Sequence, residues 1–239
     1  MISTKGLCRY FRKSDGTTLK ALDDVDISIR DGELAIIAGE NGSGKSLLMR
    51  ILAGLDKQTR GSIRTDSGVG LVFQDADAQI LADTPLEDVM FGLRSRKDIT
   101  KDQKKEIAEE SLRKVGLWDI KDSPAHLLSG GQKRRLAVAS VLALGRKIMI
   151  FDEPYSNLDY PGVKSVNAII GELKEGGYTV LLLTHELEKC LGMADRFIVL
   201  HEGRVTFDGT PEEGLKLDLE QWSIRNPLPG GKPDSLVWL

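Results

Sequence analysis

An α/β fold on a mostly parallel sheet, with a block of helices inserted into it, is predicted by three observations. An apolar run, "LAIIAG", passes through a glycine-rich loop into the apolar helix pattern "LLMRILAGL". From about Asp75 to Arg146 the pattern is mostly helical. Apolar strand runs then return in "KIMIF" and "YTVLLLT", with a helical segment between them. Strands joined through helices pair in parallel, and a long helical stretch between two of them forms its own subdomain.

The elements follow in order. Val25, Ile27 and Ile29 alternate with Asp26 and Ser28, the period of a half-buried strand. "DGE" at 31–33 turns the chain into the buried strand "LAIIAG". "VGLVFQ" is a further strand closing at Gln74, followed by the helical segments "PLEDVMFGL" and "KKEIAEESLRKVGL" and the helix opened by Ser129, Gly130 and Gly131. "FIVLHEGRVTFDG" reads as a hairpin turning at Glu202–Gly203. The tail "NPLPGGKPDSLVWL" reads as irregular or edge structure; residues 211–239, with Trp222 and Trp238, carry packing or dimer contact and no assigned function.

Charge and composition narrow the function. The formal net charge is −3, with 33 basic residues interleaved among 36 acidic ones, which excludes a mainly electrostatic nucleic-acid binder. Cys8 and Cys190 have no metal or disulfide spacing, which fits a reducing compartment. No apolar run approaches the roughly 20 residues that cross a bilayer, so membrane work would require a membrane partner.

Chemistry concentrates at strand ends. "GENGSGKS" (Gly39, Glu40, Asn41, Gly42, Ser43, Gly44, Lys45, Ser46) has the spacing of a phosphate-binding loop, flanked by a strand and a helix as the mechanism requires. Its glycines let backbone N–H groups turn inward around phosphate oxygens, Lys45 reaches the β- and γ-phosphates, and Ser46 sits on Mg²⁺. Asp152 and Glu153 close the strand "KIMIFDE", where Asp152 serves Mg²⁺ through water and Glu153 polarises the water that attacks the γ-phosphate. Gln74, Glu153 and His185 thus close three neighbouring strands, and His185 is placed to contact the γ-phosphate or that water. Ser129, Gly130 and Gly131 form a second set of donors at a helix start. One chain with two half-sites suggests a nucleotide sandwiched between two chains.

Over nearly all of residues 1–210 the sequence resembles the nucleotide-binding subunits of ABC transporters. "LSGGQ" at 128–132 matches the family signature, "GENGSGKS" the Walker A loop, Gln74 the Q-loop glutamine, "IMIFDE" Walker B, "SNLD" at 156–159 the D-loop, and His185 the switch histidine. The resemblance implies a P-loop NTPase (RecA-like) parallel sheet core with an N-terminal antiparallel β subdomain and an inserted α-helical subdomain over about 75–146, the whole of 1–239 being one ATPase domain. It implies ATP and Mg²⁺ as cofactors, with Ser46, Gln74 and Asp152 around the metal. It assigns Ser129, Gly130, Gly131, Gln132 and Asp159 to the nucleotide site, and Phe11 to stacking on adenine, with Tyr10 as the alternative ring. "VFQDADAQILADTPLEDVMFGL" is similar to the energy-coupling-factor (ECF) branch of vitamin and metal importers in Gln79, Thr84, Glu87, Asp88, Val89, Phe91 and Gly92, with departures at Ala76 and Pro85.

That resemblance implies a second ATPase chain, identical or paralogous, and ECF T-type and substrate-binding membrane components. It places the protein peripherally at the cytoplasmic face of the membrane, with the surface around Gln74–Gln79 receiving a partner helix. The alternative within the family is the ATPase subunit of another ABC importer or exporter, and two other classes fit less well. A soluble ABC-type ATPase would carry a long coiled coil or two nucleotide domains in one chain, and a GTP-dependent switch would carry an [NT]-K-x-D motif; neither is present.

Overall fold

The computed structural model describes residues 1–227; Trp238 and the end of the tail lie outside them. A six-stranded sheet has the order β5 (Val69–Val72), β6 (Ile148–Asp152), β7 (Thr179–Leu183), β3 (Leu34–Ala38), β8 (Arg196–His201), β9 (Arg204–Gly209). Its first five strands are parallel, and β9 returns antiparallel along β8. That return is the expected hairpin: Glu202 and Gly203 both have positive φ, at 47° and 75°, as the tightest hairpin turn demands.

The parallel strands are buried on both faces, which explains their unbroken apolar runs. Leu34 and Ile36 of β3, with Met149, Phe151, Val180 and Leu182, face a core shared with the helices. Ala35 and Ile37, with Ile148, Ile150, Leu181 and Leu183, face a second core. That second core is closed by helix α1 (Lys45–Leu52) and by a separate antiparallel sheet of order β2 (Thr18–Ile29), β1 (Ile2–Arg12), β4 (Arg60–Thr65).

Between β5 and β6 come three helices, α2 (Pro85–Gly92), α3 (Lys101–Lys114) and α4 (Gly130–Ala143). α5 (Tyr160–Glu175) joins β6 to β7, and α6 (Pro211–Gly214) follows the hairpin. Of residues 211–227, Leu215, Leu219 and Ile224 pack into the helical-side core.

Candidate functional site

The phosphate loop leaves the centre of the parallel sheet and turns where only glycine fits. A side chain at Gly39 would put its Cβ 2.2 Å from the Leu200 carbonyl oxygen and 2.6 Å from Ser43 Oγ. Gly44 has φ +103°, and its Cβ would meet the Ala21 carbonyl oxygen at 2.7 Å. Gly44 is also the N-cap of α1, so α1 begins with no side-chain cap, whereas α2 to α6 are capped by Thr84, Thr100, Ser129, Asp159 and Thr210. Amides at the start of α1 are therefore left to an external acceptor, the arrangement that binds phosphate.

Lys45 is buried and donates from Nζ to the carbonyls of Gly39 at 2.7 Å and Glu40 at 3.0 Å. Burial lowers its pKa, against the opposing pull of Glu153, Asp152 and Glu40. Asp152 ends β6 beside it and accepts from Ser46 Oγ at 3.3 Å; burial is the main cause that raises its pKa. A hydroxyl and a carboxylate oxygen meeting beside a phosphate loop form a hard donor set of the kind Mg²⁺ takes together with phosphate oxygens.

Glu153 carries backbone strain. Its φ is +43°, the left-handed region that side chains other than glycine rarely adopt, while its N–H still bonds the Leu183 carbonyl at the end of β7. Its carboxylate is buried, with Oε1 3.1 Å from His185 Nδ1 and Oε2 without a hydrogen-bond partner. Such strain at a strand end, around an unsatisfied carboxylate oxygen, is characteristic of functional sites. Gln74, exposed, donates from Nε2 to Ser156 Oγ at 3.4 Å. Gln74, Glu153 and His185 therefore follow three adjacent strands, β5, β6 and β7, as their sequence positions predict. With Lys45, Ser46, Asn41 and Gly42 they line one open cleft of about 370 Å³.

A second cleft of about 430 Å³ is lined by Ser129, Gly130, Gly131, Gln132, Asn157 and Asp159 among others, and it shares no lining residue with the first. Ser129 caps α4 in a reciprocal pair: its Oγ accepts from the Gln132 N–H at 3.3 Å, and Gln132 Oε1 accepts from the Ser129 N–H at 2.8 Å. The amides of Gly130 and Gly131 keep no intrahelical acceptor. Asp159 caps α5, accepting from the Gly162 N–H at 2.9 Å. Unlike Gly39 and Gly44, the signature glycines are not required by their own chain. A Cβ at Gly130 would have nothing nearer than 4.0 Å, and one at Gly131 nothing nearer than 3.9 Å.

Phe11 and Tyr10 separate clearly. Tyr10 donates its hydroxyl to Asp23 at 2.6 Å, and this bond holds the Tyr10 pKa above the ordinary phenol range. Phe11 is half-exposed on β1, with the Arg9 guanidinium 4.6 Å from its ring centroid, outside the lining of the phosphate-loop cleft. Gln79 is also placed differently from its expected position on a docking surface. Its Oε1 accepts from the Phe73 N–H at 2.9 Å and its Nε2 donates to the Leu71 carbonyl at 3.1 Å, so the side chain extends β5 like a short strand partner.

A parallel sheet with a phosphate loop after an inner strand, β3, and a buried carboxylate pair at the end of β6, one strand removed from it across β7, defines a P-loop nucleoside triphosphatase. The particular lineage follows from comparison with known proteins. The chain belongs to the ABC transporter family, whose model matches residues 22–156. It is 35% identical over 228 residues to the energy-coupling factor transporter ATP-binding protein EcfA1 of Clostridium novyi, covering 89% of this chain and 81% of that protein. It is 39% identical to the EcfA protein of Carboxydothermus hydrogenoformans, over 87% of this chain and 82% of the relative. The structure of cbiO1 from Clostridium perfringens, part of the ABC transporter complex cbiONQ, superposes with a TM-score of 0.80 at 31% identity, covering 96% of each chain. The dimeric post-hydrolysis state of the ATP-binding cassette MJ0796, bound to ADP and Pi, superposes with a TM-score of 0.79 at 28% identity, over 88% of this chain and 99% of that one. The protein is an ATP-binding, ATP-hydrolysing cassette of a transporter.

Proposed function

We propose that this chain is the motor of an ECF-type importer of a vitamin or transition-metal ion, closing with a second ATPase chain around two ATP molecules. The observation that carries the reading is the pair of separate clefts, one of them headed by glycines whose missing side chains serve nothing within the chain. A glycine pair that its own fold does not need is explained by the close approach of a group from outside.

In this scheme Lys45 and the amides of residues 39–46 hold the β- and γ-phosphates of the chain's own ATP. Ser46 and Asp152, with Gln74 nearby, hold Mg²⁺, which supplies charge neutralisation at the phosphate oxygens. Glu153 accepts the proton of the attacking water through its unpaired Oε2, and His185 holds the other oxygen of that carboxylate in place. Phe11, half-exposed while Tyr10 is engaged with Asp23, stacks on adenine with the ring face that Arg9 does not cover. Ser129, Gly130, Gly131 and Gln132 bind the γ-phosphate of the ATP held by the partner chain, with Asp159 at the seam.

Among the described residues no helix is long and apolar enough to cross a membrane. Attachment at the cytoplasmic face runs through the T-type and substrate-binding components. The docking segment is 74–92, where Leu81 and Phe91 stand exposed at 66% and 39%. Co-expression with a T-type component tests this. The chain is expected to move from the soluble to the membrane fraction, and a Leu81→Asp, Phe91→Asp double variant to lose that recruitment while still binding ATP. Undiminished recruitment of the double variant would place the docking surface elsewhere.

A further inference from the structure

Three adjacent basic residues, Lys133, Arg134 and Arg135, follow the signature and have no part in the scheme above. Two of them reach the loop that follows β5, and the third reaches the end of α3. Lys133 pairs with Asp77, and Arg135 donates to the carbonyls of Val115 at 3.0 Å and Gly116 at 3.2 Å. Arg134 donates to the carbonyls of two successive residues, Phe73 and Gln74, the latter at 2.6 Å.

Arg134 is the costly one. It is 3% exposed, its Nε has no partner, and it makes no ion pair among the described residues. Asp75 and Asp152 act on it only through space, and a buried guanidinium that bonds no carboxylate is a poor way to stabilise a fold; an alkyl side chain would fill the same space at lower cost. What the guanidinium supplies is geometry, because its planar fork fixes two carbonyls at once. Those carbonyls lie where β5 has just ended. Gln79 holds the Phe73 N–H and Arg134 holds the Phe73 carbonyl, so the backbone that aims Gln74 is gripped from both sides. Arg134 is also four residues, one helical turn, beyond Gly130 on α4.

We propose that Arg134 is a positioning residue that joins the two half-sites of one chain. It locks Gln74, which lines the cleft for the chain's own nucleotide, to the helix whose first turn faces the partner's nucleotide. ATP arriving at Lys45 is then felt at Gly130 and Gly131 before a second chain closes. The inference rests on the two-chain site proposed above, since only there does the signature act on a different nucleotide from the phosphate loop.

The test is hydrogen exchange on the full chain carrying Ser129→Arg, which blocks the signature from engaging a partner and leaves only coupling within the chain. Addition of ATPγS with Mg²⁺ is expected to slow exchange in residues 73–78 and also in 130–135, the latter by about fivefold, the lower end of ordinary coupling between sites. With Arg134→Gln added, the first response should persist and the second disappear. Arg134→Lys, which keeps the charge and a single donor, should give an intermediate response and serves if the glutamine variant does not fold. A response at 130–135 that survives both substitutions, or that is missing in the Ser129→Arg parent, overturns the proposal. Failure of the two-chain reading is separate: it shows as wild-type ATP hydrolysis by monomeric Ser129→Arg, whatever the exchange pattern.

Discussion

Gly131→Ala separates folding from catalysis at a single methyl group. Within the chain the new Cβ meets nothing closer than the Gly162 Cα at 3.9 Å, an ordinary contact. Gly131 has no positive φ, so alanine is not strained there. Replacing glycine by alanine in a helix is worth roughly 0.5–1 kcal/mol, and the first turn belongs at the low end of that range. For a chain of this size about 0.5 kcal/mol raises Tm by about 1–2 °C. The same methyl enters the space that the partner's γ-phosphate takes in the proposed two-chain site. A displacement of about 1 Å at a reacting centre costs on the order of 10²-fold in rate. Calorimetry and steady-state ATPase assays on one preparation should therefore show a Tm unchanged or slightly raised together with hydrolysis lowered about 10²-fold. Wild-type turnover would refute the close approach, and a Tm lowered by several degrees would refute the packing argument.

Four further substitutions, three in the site and one in the core behind it, have expected outcomes. Glu153→Gln should keep ATP affinity, measured by titration, and nearly abolish hydrolysis, whereas Lys45→Ala should weaken binding itself by removing the charge that meets the phosphates. Asp152 has a pKa raised by burial, so its stabilising contribution is complete below the unfolded value near 3.8 and is lost as pH rises through the folded value; at neutral pH Asp152→Asn should raise the Tm of the nucleotide-free protein while removing the added stabilisation by Mg²⁺ with ATP, as thermal scans with and without the metal would read. Tyr155→Phe should cost about 1–3 kcal/mol in denaturant unfolding, because it strips the buried 2.7 Å bond that Tyr155 donates to Asn167, whose amide in turn donates to the Lys189 carbonyl.

The parts of the site that depend on strand ends were legible in the sequence. Residues that close apolar runs in a parallel sheet must emerge along one edge, so Lys45, Gln74, Glu153 and His185 converge without any need to know their contacts. The antiparallel sheet was harder to read locally. β1 is interrupted by register shifts between Thr4 and Leu7 and again before Tyr10, which break the period of two, and β4 offers only Ile63 as an apolar residue. Side-chain engagements across long separations left no local trace. Nothing in "VFQDADAQ" announces that Gln79 serves the backbone of β5 rather than a partner, or that Arg134 grips Phe73 and Gln74 from some 60 residues away. The strain at Glu153 is equally invisible, because a strand-ending carboxylate reads the same with either sign of φ.

The two-chain site is tested most directly by the ATPase activity of Ser129→Arg, alone and mixed with Lys45→Ala. Arginine would fill the space of the partner's γ-phosphate and stop closure, so Ser129→Arg alone should be inactive although its phosphate loop is intact. Random mixing of the two variants makes about half the dimers mixed, each with one intact loop facing one intact signature, and recovery should approach about a quarter of the wild-type rate if the sites act independently. Ser129→Arg hydrolysing ATP at the wild-type rate, and remaining monomeric by light scattering throughout turnover, would contradict the account.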